Sequence, residues 1–466
     1  MPSSAACDRC YSLKSRCLPG PEGNCYRCYR LHQLCTFSRQ RGKRGPKPKI
    51  FKGHPSQSTH EHGLLSASVT TPRDLSNVAP RQENDDAADE SMQEPPRTMI
   101  SRHESLHIRV SEDTALSICT FFSFGPQLSM DMYRTLKARV AEAPLLLLSP
   151  YGAVTRVFLR CSSNQTPCSD TDWSNCASAL QTLRNASITK VEHVGSFLSL
   201  GLSLVTFHRL ISGISASTIC RFTLLLIRPF YYSGQLADPD PMGLLCLIFL
   251  DTTQSLFRAR VPIIEYRVRD PFLVDPHAGL CGPLLPLLYR VCLLGAAIRT
   301  GDSHISPECF DNLRKELDNW SPNISHAVLG RLSEEENLLL IMQANLHRVG
   351  ALLFLHRLRY PFGERDDEAQ DLSRSIINDM EHCLAVTGHH PPNITLVLLV
   401  AGAELLDGSG RQEIQSLISR ILGSNFYPFI PNLRLFLRRV WAGRDQGTAR
   451  YLFHLFDEDP ELSIPL

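Results

Sequence analysis

The sequence of 466 residues lacks long apolar runs. Apolar stretches are short, eight residues at Gly243–Leu250 and eight at Leu396–Ala403. A bilayer-spanning helix needs ~18 or more, so no transmembrane segment and no membrane partner are expected. The first 30 residues hold no apolar core of the kind a secretion signal carries, which points to a reducing compartment. Tryptophan is scarce, with three residues, and aromatics make up 8% of the chain. Alternating apolar and polar runs bounded by hairpin turns are rare, which argues against a sheet. Net charge is also nearly absent, at +1 overall.

That balance hides an asymmetry. Residues 1–52 carry 12 Lys and Arg against Asp8 and Glu22, whereas the other 414 carry 36 Lys and Arg against 45 Asp and Glu. A basic head on an acidic body suggests an anionic partner for the head.

The head also holds six of the sixteen cysteines. Cys7, Cys10, Cys17, Cys25, Cys28 and Cys35 read as C-x2-C-x6-C, written twice with an offset of 18. Arg9-Cys10-Tyr11 returns as Arg27-Cys28-Tyr29, and Leu13 as Leu31. Cysteines two residues apart sit about one helical turn apart, so both thiolates reach one ion from one face. Two separate tetrahedral zinc sites need eight thiolates. Six suffice only if two sulfurs bridge both metals, and the repeat predicts two helix-loop halves around such a binuclear cluster. A disulfide scaffold is the competing reading, disfavoured by the reducing context. With so little apolar material, metal binding would supply most of the folding free energy, on the order of 10–16 kcal/mol for a structural zinc site.

This segment resembles the fungal zinc-cluster (Zn2Cys6) transcription factors, from Cys7 to Cys35 without a gap. The resemblance implies a cofactor of two zinc ions bridged by Cys7 and Cys25. It also implies a base-reading lysine four residues after the second cysteine, which is Lys14, facing guanine in CGG-type sites on double-stranded DNA. Where many members have a further basic residue before that lysine, this chain has Leu13. Arg9, Arg16, Arg27 and Arg30 are candidate phosphate contacts. The turn Leu18-Pro-Gly-Pro-Glu-Gly-Asn24 has the composition for a sharp reversal between the halves.

Beyond the cysteines, Arg39, Arg41, Lys43, Arg44, Lys47 and Lys49 follow without an acid, interrupted by Gly and Pro. This reads as a nuclear import segment with nonspecific phosphate contact. Residues 53–105 turn polar, with Pro55, Pro72, Pro80, Pro95 and Pro96 and an acidic run at 83–90. They read as a disordered linker. No heptad of three or more repeats follows the tail, so a homodimer would form without a coiled coil.

From residue 106 the pattern is helical. Ser306-Pro307 opens one helix, with Phe310, Leu313, Leu317 and Trp320 at helical spacing. Ser333-Glu-Glu-Glu336 is a capping box before Leu338, Met342, Leu346, Val349 and Leu353. Ile394–Leu406 and Ile414–Leu422 form two more, separated by Asp407-Gly-Ser-Gly410. Leu433, Phe436, Leu437, Val440 and Trp441 mark a last one. The expected architecture is a small irregular metal-held Zn2Cys6 domain (1–37), a basic tail (38–52), the linker, and a large all-α regulatory domain (106–466) of about a dozen helices. Ser217–Tyr231, Leu280–Tyr289 and Arg439–Asp445 resemble stretches of the fungal-specific transcription factor domain.

No Gly-x-Ser-x-Gly, His-Glu-x-x-His or phosphate-cradling glycine motif occurs, so no catalytic residues are assigned and an enzyme is not expected. His382-Cys383 and His389-His390 match no metal spacing. Cys220, Cys246 and Cys292 read as small buried hydrophobes, and Phe121-Phe122 and Tyr231-Tyr232 as core aromatics. The resemblance implies a nuclear, DNA-binding transcription regulator that contacts the transcription machinery. It further implies an activator, serving a specialised-metabolite biosynthetic gene cluster.

Overall fold

Ser306 accepts the Glu308 amide at 3.2 Å and Pro307 occupies the first helical position, as the sequence requires of a helix start. The same local logic recurs along the chain. The computed structural model describes Cys7, Asp8, Cys10, Cys17, Cys25, Cys28, Cys35 and Thr36 near the N-terminus. It further describes residues 112–162, 168–211, 216–236, 243–302, 305–422, 430–448 and 450–458. The chain divides into two units, Met1–Glu94 and Pro95–Leu466. The basic tail and the linker lie outside the described residues.

The second unit holds sixteen α-helices among the described residues and a single isolated bridge, Asp275 to Gly279. The helices are α1 (Glu112–Phe121), α2 (Pro126–Glu142), α3 (Pro144–Ser162), α4 (Asp170–Arg184), α5 (Val194–Ile211) and α6 (Ser217–Tyr232). There follow α7 (Leu244–Phe257), α8 (Leu285–Thr300), α9 (Pro307–Asn319), α10 (His326–Leu329) and α11 (Glu334–Arg359). The last are α12 (Asp366–Thr387), α13 (Thr395–Glu404), α14 (Gly408–Leu422), α15 (Ile430–Asp445) and α16 (His454–Glu458). Two of these have only four and five residues, which is why helical periodicity gives a lower number.

Two apolar clusters organise the unit. The smaller joins α3, α4 and α5 through Leu147, Val157, Leu183, Leu204 and Phe207. The larger surrounds α7, α11 and α13. All fourteen residues of α7 and all ten of α13 are buried, so these helices present no face to solvent and run through the interior.

Buried charge is paired. Asp251 on α7 accepts Arg221 at 2.7 Å and the Ile263 amide at 2.6 Å. At the end of α13, Glu404 takes both arms of a bidentate Arg357 contact, 2.8 and 2.6 Å, and a further Arg444 contact at 2.9 Å. Asp366 closes this network onto both arginines. A lone charge at such depth would cost several kcal/mol.

Three sequence expectations need correction. Asp407-Gly-Ser-Gly410 does not separate two helices at the expected positions. The Asp407 carboxylate accepts the Gly410 amide at 2.7 Å, and α14 starts at Gly408, six residues before Ile414. The α15 face Leu433, Phe436, Leu437, Val440 and Trp441 is buried as expected, but α16 follows it. Finally, Val191–Ile211, Gly282–Thr300 and Glu334–Arg359 are long and apolar enough, by length and composition, to cross a membrane. Unbroken apolar runs miss them because isolated polar residues interrupt each one. In the first and third, 72% of the apolar window is buried inside the unit; in the second, 39%.

Candidate metal centre

Cys7, Cys10 and Cys28 are fully buried and Cys25 nearly so, in a segment whose described residues offer no other core. Asp8, Cys10 and Cys28 have helical backbone. The two halves repeat each other in space as in sequence. The Cys7 amide donates to Cys17 Sγ at 3.3 Å, and the Cys25 amide to Cys35 Sγ at 3.2 Å. The Cys10 amide donates to Cys7 Sγ at 3.4 Å, and the Cys28 amide to Cys25 Sγ at 3.3 Å. The offset of 18 in the sequence therefore produces equivalent partners on both sides. Asp8 N–H donates to Thr36 O at 2.9 Å, tying the start of the segment to its end.

The six sulfurs form two four-membered groups, each with all sulfurs within 4.8 Å of one another. One is Cys7, Cys10, Cys17 and Cys25; the other is Cys7, Cys25, Cys28 and Cys35. Cys7 and Cys25 belong to both. The Sγ separations are 3.7 Å for Cys7–Cys25, 3.8 Å for Cys7–Cys28 and 3.7 Å for Cys10–Cys25. Two thiolates ~2.3 Å from one tetrahedral ion are about 3.8 Å apart, so the spacing fits metal coordination. A disulfide needs ~2.05 Å, and all six cysteines are free. The cluster could hold metal.

The electrostatics single out the same shared pair. Burial opposes ionisation of Cys25, but the Cys28 amide and the surrounding thiols outweigh it and bring the thiol down to about 6. Cys7 is lowered in the same manner, against burial, by the Cys10 amide and thiol. Cys28 and Cys35 are raised, first by burial. Thiolate is the metal-ligating form.

Lys14, Arg9, Arg16, Arg27 and Arg30 lie outside the described residues. In the helical unit, the described residues bring no further group of cysteine, histidine and carboxylate ligands together. The Cys383 thiol faces the His389 carbonyl at 3.8 Å, and the exposed His389 ring stands 3.7 Å from Glu335. Cys220, Cys246 and Cys292 are buried, and burial pushes their thiols well up. Tyr231 is core, its hydroxyl accepting the Arg267 amide at 2.7 Å. Phe122 is different: it stands edge-on to Phe121 and lines a cavity.

The family model described as the fungal specific transcription factor domain matches residues 168–459. The chain belongs to this family. The three stretches Ser217–Tyr231, Leu280–Tyr289 and Arg439–Asp445 all fall inside the match and form α6, the entry to α8 and the end of α15. The match thus runs from just before α4 through α16. Helices α1–α3 and the cysteine segment precede it. Membership supports a transcription regulator rather than an enzyme, acting with DNA and the transcription machinery in the nucleus. No curated protein and no solved structure matches the chain.

Proposed function

We propose that this protein is a zinc-dependent, sequence-specific regulator of transcription by RNA polymerase II. In this reading residues 1–37 form a Zn2Cys6 DNA-binding domain with two zinc ions, and Cys7 and Cys25 bridge them. Cys10 and Cys17 complete one ion's coordination, Cys28 and Cys35 the other's. Zinc supplies the fold of the head and no chemistry of bond making. Lys14 donates to guanine O6 and N7 in a CGG-type site. Arg9, Arg16, Arg27 and Arg30 neutralise phosphates and fix the register. The basic tail (38–52) directs nuclear import and adds backbone contact, residues 53–105 are a disordered linker, and the helical domain (106–466) regulates output.

The observation that carries this reading is the sharing of Cys7 and Cys25 between two four-sulfur groups, on a chain whose body belongs to a transcription factor family. On family grounds the output is activation of a specialised-metabolite gene cluster, with homodimers forming through the helical domain.

The test is a gel shift of the full chain on CGG-containing duplex DNA, alongside metal analysis. Two zinc ions per chain are expected, with binding abolished by exhaustive chelation and restored by zinc. Lys14→Ala should weaken binding by on the order of 10- to 100-fold, the worth of one bidentate base contact. Raising salt should weaken it further through counterion release. Binding that survives chelation would refute the zinc-held head; binding unaltered by Lys14→Ala would refute its base-reading role.

A further inference from the structure

Helix α8 is apolar along its length yet thinly covered. Val191–Ile211 and Glu334–Arg359 have 72% of their apolar window buried, whereas Gly282–Thr300 has only 39%. Leu293 of α8 is 41% exposed, and Tyr289, one turn earlier on the same side, is half-buried. Helix α6, which packs with α8 on the buried α7, also turns apolar side chains outward. Its Leu225 is 47% and its Tyr232 37% exposed. Single exposed leucines mean little, but a continuous apolar patch marks an interaction site.

The chain between α7 and α8 joins these two rows. Pro262, Ile264 and Tyr266 are buried and alternate with Val261, Ile263, Glu265 and Arg267, which are exposed or half-exposed, the period of an extended segment. It is held from beneath: Asp251 accepts the Ile263 amide at 2.6 Å and the Tyr231 hydroxyl the Arg267 amide at 2.7 Å. Towards α6, Arg221 donates to the Val261 carbonyl at 3.3 and 3.4 Å, and the Tyr232 hydroxyl accepts the Glu265 amide at 3.1 Å. Towards α8, the Tyr289 phenol is raised first by burial and then by Glu265 and Tyr232, against the pull of Arg228. Groups of α6, the segment and α8 therefore stand within electrostatic reach of one another on one fixed face.

The charges on this face select the occupant. Arg228 and Arg267 lie over the Tyr232 ring, 5.7 and 5.2 Å from its centre. Among the described residues no carboxylate forms an ion pair with either, and no cation forms one with the exposed Glu265. A wholly acidic partner would meet Glu265, and a wholly basic one would meet two arginines. A second copy turned about a two-fold axis presents both signs in reversed order, and an apolar centre with a polar rim is the composition of such an interface. We propose that α6, the 260–268 segment and α8 form the interface of a symmetric dimer of this chain, with Leu225 and Leu293 at its apolar centre and Glu265 paired with the partner subunit's Arg228. This interface rests on the homodimer reading above and specifies the surface that forms it.

Sedimentation velocity of the full chain, from low to high micromolar concentration, tests it. The wild type should pass from monomer to dimer. Glu265→Arg and Arg228→Glu should each raise the dimer Kd at least about 10-fold, because each places two like-charge contacts across the axis. The double variant Glu265→Arg/Arg228→Glu should return Kd to within about 3-fold of wild type, as coupled partners do. Both side chains are exposed, so helical circular dichroism should not change. Leu293→Glu should hold the chain monomeric; the charge exchange carries the test alone should that variant not fold. A dimer unaffected by the single reversals and by Leu293→Glu overturns this interface and leaves the homodimer reading standing. Single reversals that weaken the dimer with no recovery in the double variant overturn the Glu265–Arg228 pairing. A wild-type chain that stays monomeric at every concentration overturns both the interface and the homodimer.

Discussion

Glu336 accepts the Gln127 amide at 2.9 Å across 209 positions of sequence. Its other oxygen accepts the Ser333 amide at 3.0 Å, completing the capping box of α11. One carboxylate therefore satisfies orphan donors at the starts of two helices, α2 and α11. Gly125 precedes α2 where a Cβ would collide with the Glu336 side chain, so glycine permits the approach. Glu336→Ala leaves the Gln127 and Ser333 amides, at the starts of both helices, without their side-chain acceptor. We expect a loss of about 2–4 kcal/mol, two caps together, read from urea unfolding followed by helical circular dichroism. Glu336→Gln retains one acceptor oxygen and should lose less.

Acid sensitivity should arise in part from His347. Burial pushes this imidazole down to about 4, against the pull of the Asn393 carbonyl 3.0 Å from Nε2. Its folded value lies below the ~6.5 of an unfolded histidine. Between about pH 6.5 and 4 the unfolded chain takes up a proton that the folded one refuses. Stability therefore falls as pH falls through that window. His208, His356 and His390 are lowered as well, first by burial, and act in the same direction. A pH series of unfolding midpoints should show this slope, and His347→Gln should reduce it without removing it. An identical slope in the variant would dismiss the assignment.

The six cysteines should not be equivalent. On the proposed two-ion arrangement, Cys25→Ser strips a ligand from both ions, whereas Cys10→Ser strips one ion only. Native mass spectrometry should find the first variant depleted in both zinc ions and the second retaining about one. Equal depletion in the two would contradict bridging.

Thiol chemistry of the helical unit should be dominated by Cys309, which is exposed. Cys220, Cys246 and Cys292 are buried and held as thiols, so they lack the reactive thiolate. Brief treatment with iodoacetamide followed by peptide mapping should label Cys309 well before those three. Early labelling of Cys220 or Cys246 would show that the interior opens readily.

What could be read from the sequence follows from how local the cause is. The doubled cysteine spacing is local, and its offset returns in the paired amide–sulfur contacts. The caps at Ser306 and Ser333 are equally local and stand where the sequence puts them. The second role of Glu336 leaves no sequence pattern, because its partner is 209 positions away. The interior helices α7 and α13 are buried all round, polar residues included, so no solvent-facing stripe marks their ends. The turn at Asp407 reads as a separator in the sequence because its glycines mask the capping carboxylate that starts α14. The cavity was invisible for a similar reason: its lining is gathered from residues between Glu112 and His277 that share no motif.

The long helix α11 sets a dimension. Glu336 fastens it to α2, which carries Met132 and Leu136, and Gln343 fastens it to the carbonyl of His277. These two attachments are seven residues apart, which is about 10.5 Å of helical rise. The spacing of these two attachments is thus set by two turns of α11, a helix that contributes no residue to the lining of the apolar chamber between α1, α2, α3 and α5. A lesion that kinks those two turns would shift α2 and the His277 loop relative to each other, and so resize the chamber from outside its own lining.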